Sequence, residues 1–417
     1  MMSIEQPFLI AFIARLDEAK YNLAAFGIAG SFALIIEAPI IMLMSASTAL
    51  VKGRHSYLKL RKFTDILNIS ITIVQLIILI PSVFTWIVED VMGIPSNIAH
   101  LAHISLIIFL PWAASIGYRR FYQGILIRNN LTSRVTYGTL VRLIIIAIVG
   151  VILFLSGIEG AYVGAAAMSL AVFFEAIATR IMANQTVKKL LNSPEDYMDD
   201  SARRLTLRSI AKFYYPLALT SILSLGVHPF VTFFLGKSYL PVESLAVLPV
   251  VSSLVFIFRS MGLSYQEVNI ALIGEKRQNY RMLRNFAVYL GVAVTLGISI
   301  LAFTPLANLW FINVSGLSLE LSGLSYLPLK LMILLPALTV LLNFQRSSLI
   351  TSGRTGAIST ATAIELVVII GVLLVGVVSF NLVGVVAASI AFVAGKTAST
   401  IYLIPKQKRA VLEWKTR

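Results

Sequence analysis

The chain contains no cysteine, and charged residues make up only 13% of its 417 residues. The lack of thiols excludes disulfide bonds and thiol chemistry. The sequence also has no phosphate-binding lysine loop, no histidines at zinc-ligand spacing and no nucleophile elbow. These absences predict that the protein is not an enzyme and that it has no catalytic residue, no metal site and no cofactor.

Hydrophobic residues, in contrast, make up 58% of the chain, and they fall in long stretches separated by short polar breaks. About 20 apolar residues are enough to cross a bilayer, and in lipid the backbone satisfies its polar groups by forming helices. We therefore predict an all-α polytopic membrane protein with twelve spans. These are 3–14, 22–51, 63–88, 97–127, 135–157, 161–187, 207–235, 243–273, 285–311, 324–352, 357–379 and 382–404.

The second half of the chain repeats the first at a distance of about 222 positions. The matching segments are Gln6–Phe12 with His228–Phe234, Tyr57–Phe63 with Tyr280–Phe286, and Leu106–Pro111 with Leu331–Pro336. Six spans per half is an even number, so both halves enter the membrane in the same direction and are related by a pseudo-twofold axis along its normal. We predict two six-helix lobes, 1–191 and 206–417, joined by a polar cytoplasmic linker at 192–205.

The first predicted span is shorter than its counterpart in the second half. Pro7 aligns with Pro229, so the segment from 207 to about 227 has no equivalent near Met1. About 12 apolar residues are too few to cross the hydrocarbon easily. A truncated or misassigned start is the interpretation we favour, and a half-span covered by neighbouring helices is the alternative.

Basic residues outnumber acidic residues, and the formal net charge is +15. The loops on one predicted side, among which we count Arg119 and Arg120, hold 26 basic residues, whereas the other side holds 3. This asymmetry follows the positive-inside rule. It predicts a multi-pass protein of the cytoplasmic (plasma) membrane with a cytoplasmic C-terminus, whose basic charge contacts membrane lipids and not nucleic acid.

Two segments resemble a known superfamily. Phe213–Leu219, followed by His228 and Pro229, is similar to the start of the second lobe in progressive ankylosis transporters, and Ala14–Leu16 leading to Leu23–Gly27 is similar to the first-helix exit of multidrug and toxin extrusion proteins. The chain thus resembles the superfamily of extrusion proteins and polysaccharide or lipid-linked precursor flippases, and most closely the ankylosis family. The resemblance implies a V-shaped pair of lobes, with helices one, two, seven and eight lining a central cleft.

Charged residues within spans are the first candidates for function, because they are costly to bury in a membrane. Glu37 and Arg259 lie 222 positions apart, at equivalent places on helices two and eight. We predict that they face one cleft and form a charge pair that opens when substrate binds. A permanent structural ion pair, or two unrelated buried partners, is the alternative interpretation.

A second repeat-related pair, Arg142 and Glu365, has the opposite order of signs. We expect these two residues to reach the headgroups from helix ends. Lys330, Arg346 and Lys396 add positive charge to the second lobe, and Glu175 is the main acid in the spans of the first. Some of these charges will pair, and the remaining basic charge favours an anionic or phosphorylated solute.

Two further residues are candidates for coupling transport to H+ or Na+. Glu267 lies in the polar sequence Ser264–Asn269, and His228 precedes a proline within a span. Imidazole titrates near physiological pH, which suits a proton carrier. The competing interpretations are a solvated helix end for Glu267 and a simple hydrogen bond to a carbonyl for His228.

Together these features predict a monomeric secondary transporter that exports a small anionic or phosphorylated solute by rocker-switch alternating access. Without an ATP site, the energy comes from an ion gradient or from the gradient of the substrate itself. Within the same class, a lipid-linked saccharide flippase and a multidrug extrusion transporter are the alternatives. An integral-membrane transferase is the alternative from a different class.

Overall fold

The structure is a computed structural model that describes residues 4–192, 205–273, 279–352 and 354–416. Almost all of the predicted linker lies outside the described residues. So do Lys276 and Arg277, which belong to one of the loops that we predict to be basic. The described part of the chain is helical and contains no strand, apart from a single bridge between Tyr239 and Val383.

The described residues of the first half form nine α-helices. They are α1 (Glu5–Ile13), α2 (Ala19–Glu37), α3 (Leu43–Leu50), α4 (Arg54–Ile78), α5 (Pro81–Thr85), α6 (Ser96–Ile108), α7 (Leu110–Arg128), α8 (Thr132–Leu155) and α9 (Gly160–Asn192). A π-helical turn, Trp86–Val91, extends α5.

The described residues of the second half also form nine α-helices. They are α10 (Leu207–Leu225), α11 (Val227–Gly236), α12 (Pro241–Leu272), α13 (Tyr280–Phe303), α14 (Leu306–Asn308), α15 (Leu319–Leu331), α16 (Leu335–Thr351), α17 (Gly356–Leu374) and α18 (Gly384–Thr416). Leu309–Val314 and Val375–Ser379 are π-helical, and Met332–Leu334 is a 3-10 turn between α15 and α16.

These helices match the predicted spans closely. Within the described residues, ten helices are long and apolar enough to cross a membrane, counting α6 with α7, α10 with α11, and α15 with α16 as one each. Helix α4 together with the α5 segment gives an eleventh, bent by 73°. The twelfth predicted segment is α1, whose nine residues are fewer than a full span needs. The prediction of an all-α polytopic membrane protein is confirmed.

Prolines account for two helix breaks that the hydropathy pattern did not show. The predicted span 22–51 is divided, since α2 ends at Glu37 and α3 begins at Leu43, with Pro39 between them. The second break, at Ile80 and Pro81, separates α4 from α5. Proline has no backbone N–H to donate, and it moves the preceding residue out of the helical region. Helix α2 therefore ends at the charged residue Glu37.

The helices form two compact units. Unit 1 comprises Met1–Glu5 and Ile28–Pro229, and unit 2 comprises Gln6–Gly27 and Phe230–Arg417. The units follow the two predicted halves except in two segments, 6–27 and 206–229. Helices α1, α2 and α11 therefore contribute residues to both units.

The core of unit 1 includes an aromatic cluster on α4 and α7. Tyr57, Phe121 and Tyr122 are buried there, and the Tyr57 and Phe121 ring centroids are 5.8 Å apart. Helix α10 joins this unit through Tyr214, whose hydroxyl donates to the carbonyl of Pro39 and whose ring packs edge-on against Phe63. The turn that interrupts α2 and α3 is thus anchored within unit 1.

The core of unit 2 lies among α12, α13 and α16. Tyr265, Leu283, Val340 and Phe344 are buried in it, and the Tyr265 hydroxyl donates to the Leu283 carbonyl at 2.7 Å. The early part of the chain joins this unit through polar contacts, because Lys20 forms an ion pair with Glu243 and the Arg15 guanidinium donates to the Asn313 carbonyl.

Both units expose apolar side chains along whole helices, as a lipid-facing surface requires. Examples on α8 are Ile144, Ile148 and Leu155, and examples on α13 are Val288, Val292 and Leu296. Water-soluble monomers rarely expose continuous apolar surface on this scale. These faces therefore contact hydrocarbon.

We predict that Gly124→Ala destabilises unit 1. A Cβ at this position would lie 2.4 Å from the Met44 carbonyl oxygen, which is backbone and cannot rotate away. Overpacking of this kind costs about 1–3 kcal/mol. The matched control is Gly323→Ala in α15, where a Cβ meets nothing within 4 Å and should raise stability through helix propensity. Thermal unfolding of the purified variants measures both, and an unchanged or raised melting temperature for Gly124→Ala would contradict the packing.

Candidate functional site

Unit 1 contains a buried cluster of charges, which we call the unit 1 charge cluster: Glu5, Arg119, Gln123, Arg142 and Glu175. The Arg142 guanidinium donates to the Glu5 carboxylate, and its Nη1 lies 3.6 Å from Glu175 Oε2. Arg119 Nη1 donates to Glu175 Oε2 at 2.5 Å. The Gln123 amide donates to Glu175 Oε1 at 3.4 Å. All five side chains are buried, so the two arginines and two carboxylates neutralise each other away from water.

Helix packing brings these residues together. Arg119 and Gln123 are four residues apart on α7, so both point to the same side of that helix. At Gly138 on α8, a Cβ would lie 3.2 Å from Thr179 Oγ1 and 3.6 Å from Glu175 Cγ, both on α9. The missing side chain allows α8 to approach α9 closely enough for Arg142 to reach Glu175.

Glu37 lies in unit 1 with a partner of its own. It is buried at the last residue of α2, and its Oε2 accepts a hydrogen bond of 2.7 Å from Trp112 Nε1. Arg120 interacts electrostatically with both Glu37 and Glu175. Counting the buried Glu37 and the partly buried Arg120 with the cluster, these groups of unit 1 comprise three arginines and three glutamates, which balance in charge.

Unit 2 contains a second group of charges, which we call the unit 2 charge cluster: Arg259, Arg346, Glu365 and Lys396. Lys396 Nζ donates to Glu365 Oε1 at 2.6 Å, and Ser399 Oγ lies 3.4 Å from the other carboxylate oxygen. At Gly395, a Cβ would lie 3.0 Å from the Glu365 carbonyl oxygen. The glycine therefore lets α18 lie against α17, with Lys396 at the contact.

Within the part of the chain that the structure describes, the two arginines of this cluster donate side-chain hydrogen bonds only to hydroxyl groups. Arg259 Nε donates to Thr339 Oγ1 at 3.2 Å, and Arg346 Nη2 donates to Thr362 Oγ1 at 3.2 Å. Among the described residues, neither guanidinium forms a salt bridge, and Arg346 Nε is buried without a hydrogen-bond partner.

The unit 2 charge cluster is therefore not balanced. Lys396 interacts electrostatically with Glu365, Arg259 and Arg346, so the four groups lie within range of one another. Three cations share a single carboxylate, and that carboxylate is already bonded to Lys396. The four side chains of this cluster are partly buried, and they carry two more positive charges than negative charges, whereas the charges of the unit 1 groups cancel.

The duplicated halves use the same helix pair with opposite signs. In unit 1, Arg142 on α8 faces Glu175 on α9, whereas in unit 2, Glu365 on α17 faces Lys396 on α18. Arg142 and Glu365 lie 223 positions apart, and Glu175 and Lys396 lie 221 apart. In both halves, therefore, a charge pair joins the fifth span to the sixth.

This arrangement corrects the expectation that Arg142 and Glu365 reach the headgroups. Arg142 is buried between two carboxylates, and Glu365 is bonded to Lys396. Of the other predicted site residues, Arg346 and Lys396 join Arg259 in unit 2, and Glu175 lies at the centre of the unit 1 charge cluster.

Besides Glu37, three predicted site residues lie outside both clusters. Lys330 is exposed, with its Nζ 5.5 Å from the centre of the Phe303 ring. Glu267 on α12 and His228 on α11 are also exposed. Their predicted roles in gating and ion coupling therefore gain no support from a buried network.

The sequence interpretation missed Glu5, Arg119 and Arg120. Arg119 and Arg120 were assigned to a cytoplasmic loop, which was wrong, because α7 runs from Leu110 to Arg128 and Arg119 is 3% exposed. Both residues fall inside the predicted span 97–127, and this position in the sequence indicated that they belong to a membrane helix. Glu5 is an acid in an apolar segment, which should have marked it as a candidate.

We predict that Glu175→Ala strongly destabilises the protein. The substitution leaves Arg119 without its carboxylate and Arg142 with one carboxylate instead of two. Removing one partner from a buried ion pair costs about 3–5 kcal/mol. Glu267→Ala at an exposed position should change stability by less than about 0.5 kcal/mol. Thermal unfolding in detergent compares them, and equal melting temperatures would argue against the unit 1 charge cluster.

No family model and no curated protein matches the chain. Solved structures do match it, over almost its whole length. An inward-facing MATE family multidrug resistance transporter of the MOP superfamily has a TM-score of 0.79 at 16% identity, covering 100% of this chain and 96% of the other.

Two further structures extend the comparison. The lipid II flippase MurJ, in an inward closed conformation, has a TM-score of 0.73 at 17% identity and covers 99% of this chain and 87% of its own. A MOP superfamily transporter from Pyrococcus furiosus, described as having a binding pocket of reverse polarity, has a TM-score of 0.59 at 16% identity, covering 99% and 96%. The chain therefore has the twelve-helix, two-lobe fold shared by MATE transporters of the MOP superfamily and the flippase MurJ.

Proposed function

We propose that this protein is a secondary transporter that exports a small anionic or phosphorylated solute by alternating access. The fold supports transport, since the solved proteins that share it are described as transporters and a flippase. The charge balance of unit 2 supports the sign of the substrate. The proposal includes a monomer in the cytoplasmic membrane with a cytoplasmic C-terminus, and it assigns no enzymatic step.

The uncompensated charge of the unit 2 charge cluster carries the proposal. Burying charge away from water is costly unless a partner of opposite sign is present. In unit 1 the protein supplies a carboxylate for each of the buried arginines Arg119 and Arg142. In unit 2 it supplies one carboxylate for three cations. An anion bound beside Arg259 and Arg346 supplies the missing negative charge.

The available hydrogen-bond donors suit such an anion. Each guanidinium offers five N–H donors in a plane, and it binds carboxylate or phosphate oxygens in pairs. Arg259 and Arg346 each use one nitrogen on a threonine hydroxyl. Lys396 is occupied by Glu365, which leaves the two guanidinium groups as the recognition elements.

The remaining parts of the mechanism are predictions. A Glu37–Arg259 charge pair is the predicted gate, although each residue also has a partner in its own unit. H+ or Na+ is the predicted coupling ion, with Glu267 and His228 as the candidate residues. Lys330 is retained as a candidate contact on the surface, not in the cluster.

A lipid-linked saccharide flippase is the second candidate, favoured by the likeness to MurJ. A pyrophosphate-linked lipid would present to Arg259 and Arg346 the same oxygens as a soluble pyrophosphate. Multidrug extrusion of cations fits less well, because the unit 2 charge cluster repels positive charge. A membrane transferase, the alternative from a different class, would be recognised by formation of a covalent product from the same substrates.

Counterflow in proteoliposomes tests the proposal. Labelled pyrophosphate, citrate, nucleotides and lipid-linked sugars are each offered to the purified protein, and exchange of a soluble anion is expected. Arg259→Gln and Arg346→Gln should each reduce that exchange by about tenfold or more, since a hydrogen bond to a charged group contributes about 1.5–3 kcal/mol. Arg259→Lys, which keeps the charge, should retain more activity than Arg259→Gln.

The matched control is Lys237→Gln, which removes an exposed positive charge of unit 2 outside the cluster and should leave exchange unchanged. If both arginine variants transport as well as the unmodified protein, the unit 2 charge cluster is not the recognition site. Exchange of lipid-linked sugars alone would replace the soluble substrate with the second candidate.

A further inference from the structure

A long groove on the surface of unit 2 is basic at one end and mainly apolar along the rest of its length, which is the arrangement that an anionic lipid requires. It has a volume of about 1260 Å³ and lies among α13, α16 and the last turns of α18. Its basic end is formed by Arg281, Arg284 and Lys408, all exposed. Charge is thus concentrated at one end of the groove.

The rest of the groove is mainly apolar. Along α13 it is lined by Val288, Val292 and Leu296, and on the facing helices by Leu341 and Ile404. From Tyr280 to Leu296 the groove follows α13 for about 24 Å, at about 1.5 Å per residue. One leaflet of a bilayer is roughly 15 Å of hydrocarbon, half of the core thickness. The apolar stretch from Val288 to Leu296 covers about 12 Å of this length, so it accommodates most of the part of an acyl chain that lies in one leaflet.

Small residues form the floor of the groove. Gly291 on α13 faces Ala337 on α16, and a Cβ at Gly291 would lie 3.9 Å from the Ala337 Cβ. Gly291 and Ala337 are small enough to leave the groove open between the two helices. A larger side chain at either position would therefore fill the groove. This gives a direct way to close it.

A second groove in unit 2 provides an internal comparison. It has a volume of about 520 Å³ and is lined by apolar residues and glycines of α17, α18 and the segment between them, including Val368, Gly371 and Phe380. None of the residues that line it is charged. The two grooves therefore share exposure to hydrocarbon and differ in the basic end.

We propose that the groove between α13, α16 and α18 is a binding site for an anionic phospholipid, with an acyl chain along Val288–Leu296 and the phosphate held by Arg281, Arg284 and Lys408. Basic side chains at a membrane surface attract anionic headgroups, and arginine binds phosphate oxygens in pairs. The positive-inside asymmetry places this end of α13 in the cytoplasmic leaflet. The site is separate from the unit 2 charge cluster.

Native mass spectrometry of the full-length protein in detergent tests the proposal, with phosphatidylglycerol and phosphatidylcholine of identical chains as probes. We expect retention of phosphatidylglycerol over phosphatidylcholine by at least about tenfold, because each basic side chain near a headgroup contributes on the order of fivefold. The triple variant Arg281→Gln, Arg284→Gln, Lys408→Gln should lose this preference. Ala337→Phe should lose both lipids from the site.

The matched control is Gly371→Phe, which fills the uncharged groove and should leave the preference for phosphatidylglycerol intact. If Ala337→Phe fails to fold, Val292→Trp on the exposed groove wall replaces it. Equal retention of the two lipids by the unmodified protein would overturn the proposal, as would unchanged retention in the filled and triple variants. If inorganic phosphate alone displaces phosphatidylglycerol, the groove binds an anion and does not recognise a lipid. If the unmodified protein is a dimer in the mass spectrum and Ala337→Phe is a monomer, the groove is an interface with a second copy of this chain. Either this result or competition by phosphate alone would overturn the proposal.

Discussion

The structure depends on how each unit compensates charge that it has removed from water. In unit 1, Glu175 accepts from Arg119 and lies beside Arg142, which also pairs with Glu5. Positive and negative groups cancel there without any help from a ligand. In unit 2, the carboxylate of Glu365 is shared among three cations, and the two arginines rest on threonine hydroxyls. The first arrangement is complete in itself, whereas the second leaves two arginines without a carboxylate, and we propose that an anion completes it.

The repeat gives this difference a simple physical origin. Both halves place a charge pair between their fifth and sixth helices, and glycine at the contact brings the helices close in each case. The order of signs is inverted, which preserves the attraction between the two helices. The charge pair can therefore link the two helices with either order of signs. The neighbouring arginines are positive in both halves, Arg119 in unit 1 and Arg259 and Arg346 in unit 2, so the balance of charge differs between the units.

Much of the fold could be predicted from the sequence, because hydropathy and the repeat act over long segments. Twelve segments, their positions and their helical state followed from these two signals. The breaks at Pro39 and Pro81 did not, since apolar residues continue on both sides of each proline. The exchange of segments between the units also escaped prediction, because membership in a compact unit depends on tertiary contacts such as Tyr214 with Pro39.

The site could be predicted only in part. Charges within spans pointed to Glu37, Glu175, Arg259, Arg346 and Lys396, and all five have polar partners inside their units. Which charges pair with which could not be read from the repeat. The offset of 222 suggested Glu37 with Arg259, whereas the contacts within unit 1 are set by the local packing of α7, α8 and α9. Arg119 was missed because clusters of basic residues usually mark loops, and here one lies within a helix.

Anomalous diffraction from crystals soaked in bromide tests the central claim most directly, because it locates an anion without assuming the identity of the substrate. We predict a bromide peak within hydrogen-bonding distance of the Arg259 and Arg346 side chains, and no peak beside Arg119 and Arg142. A peak in the unit 1 charge cluster with none in the unit 2 charge cluster would contradict the account.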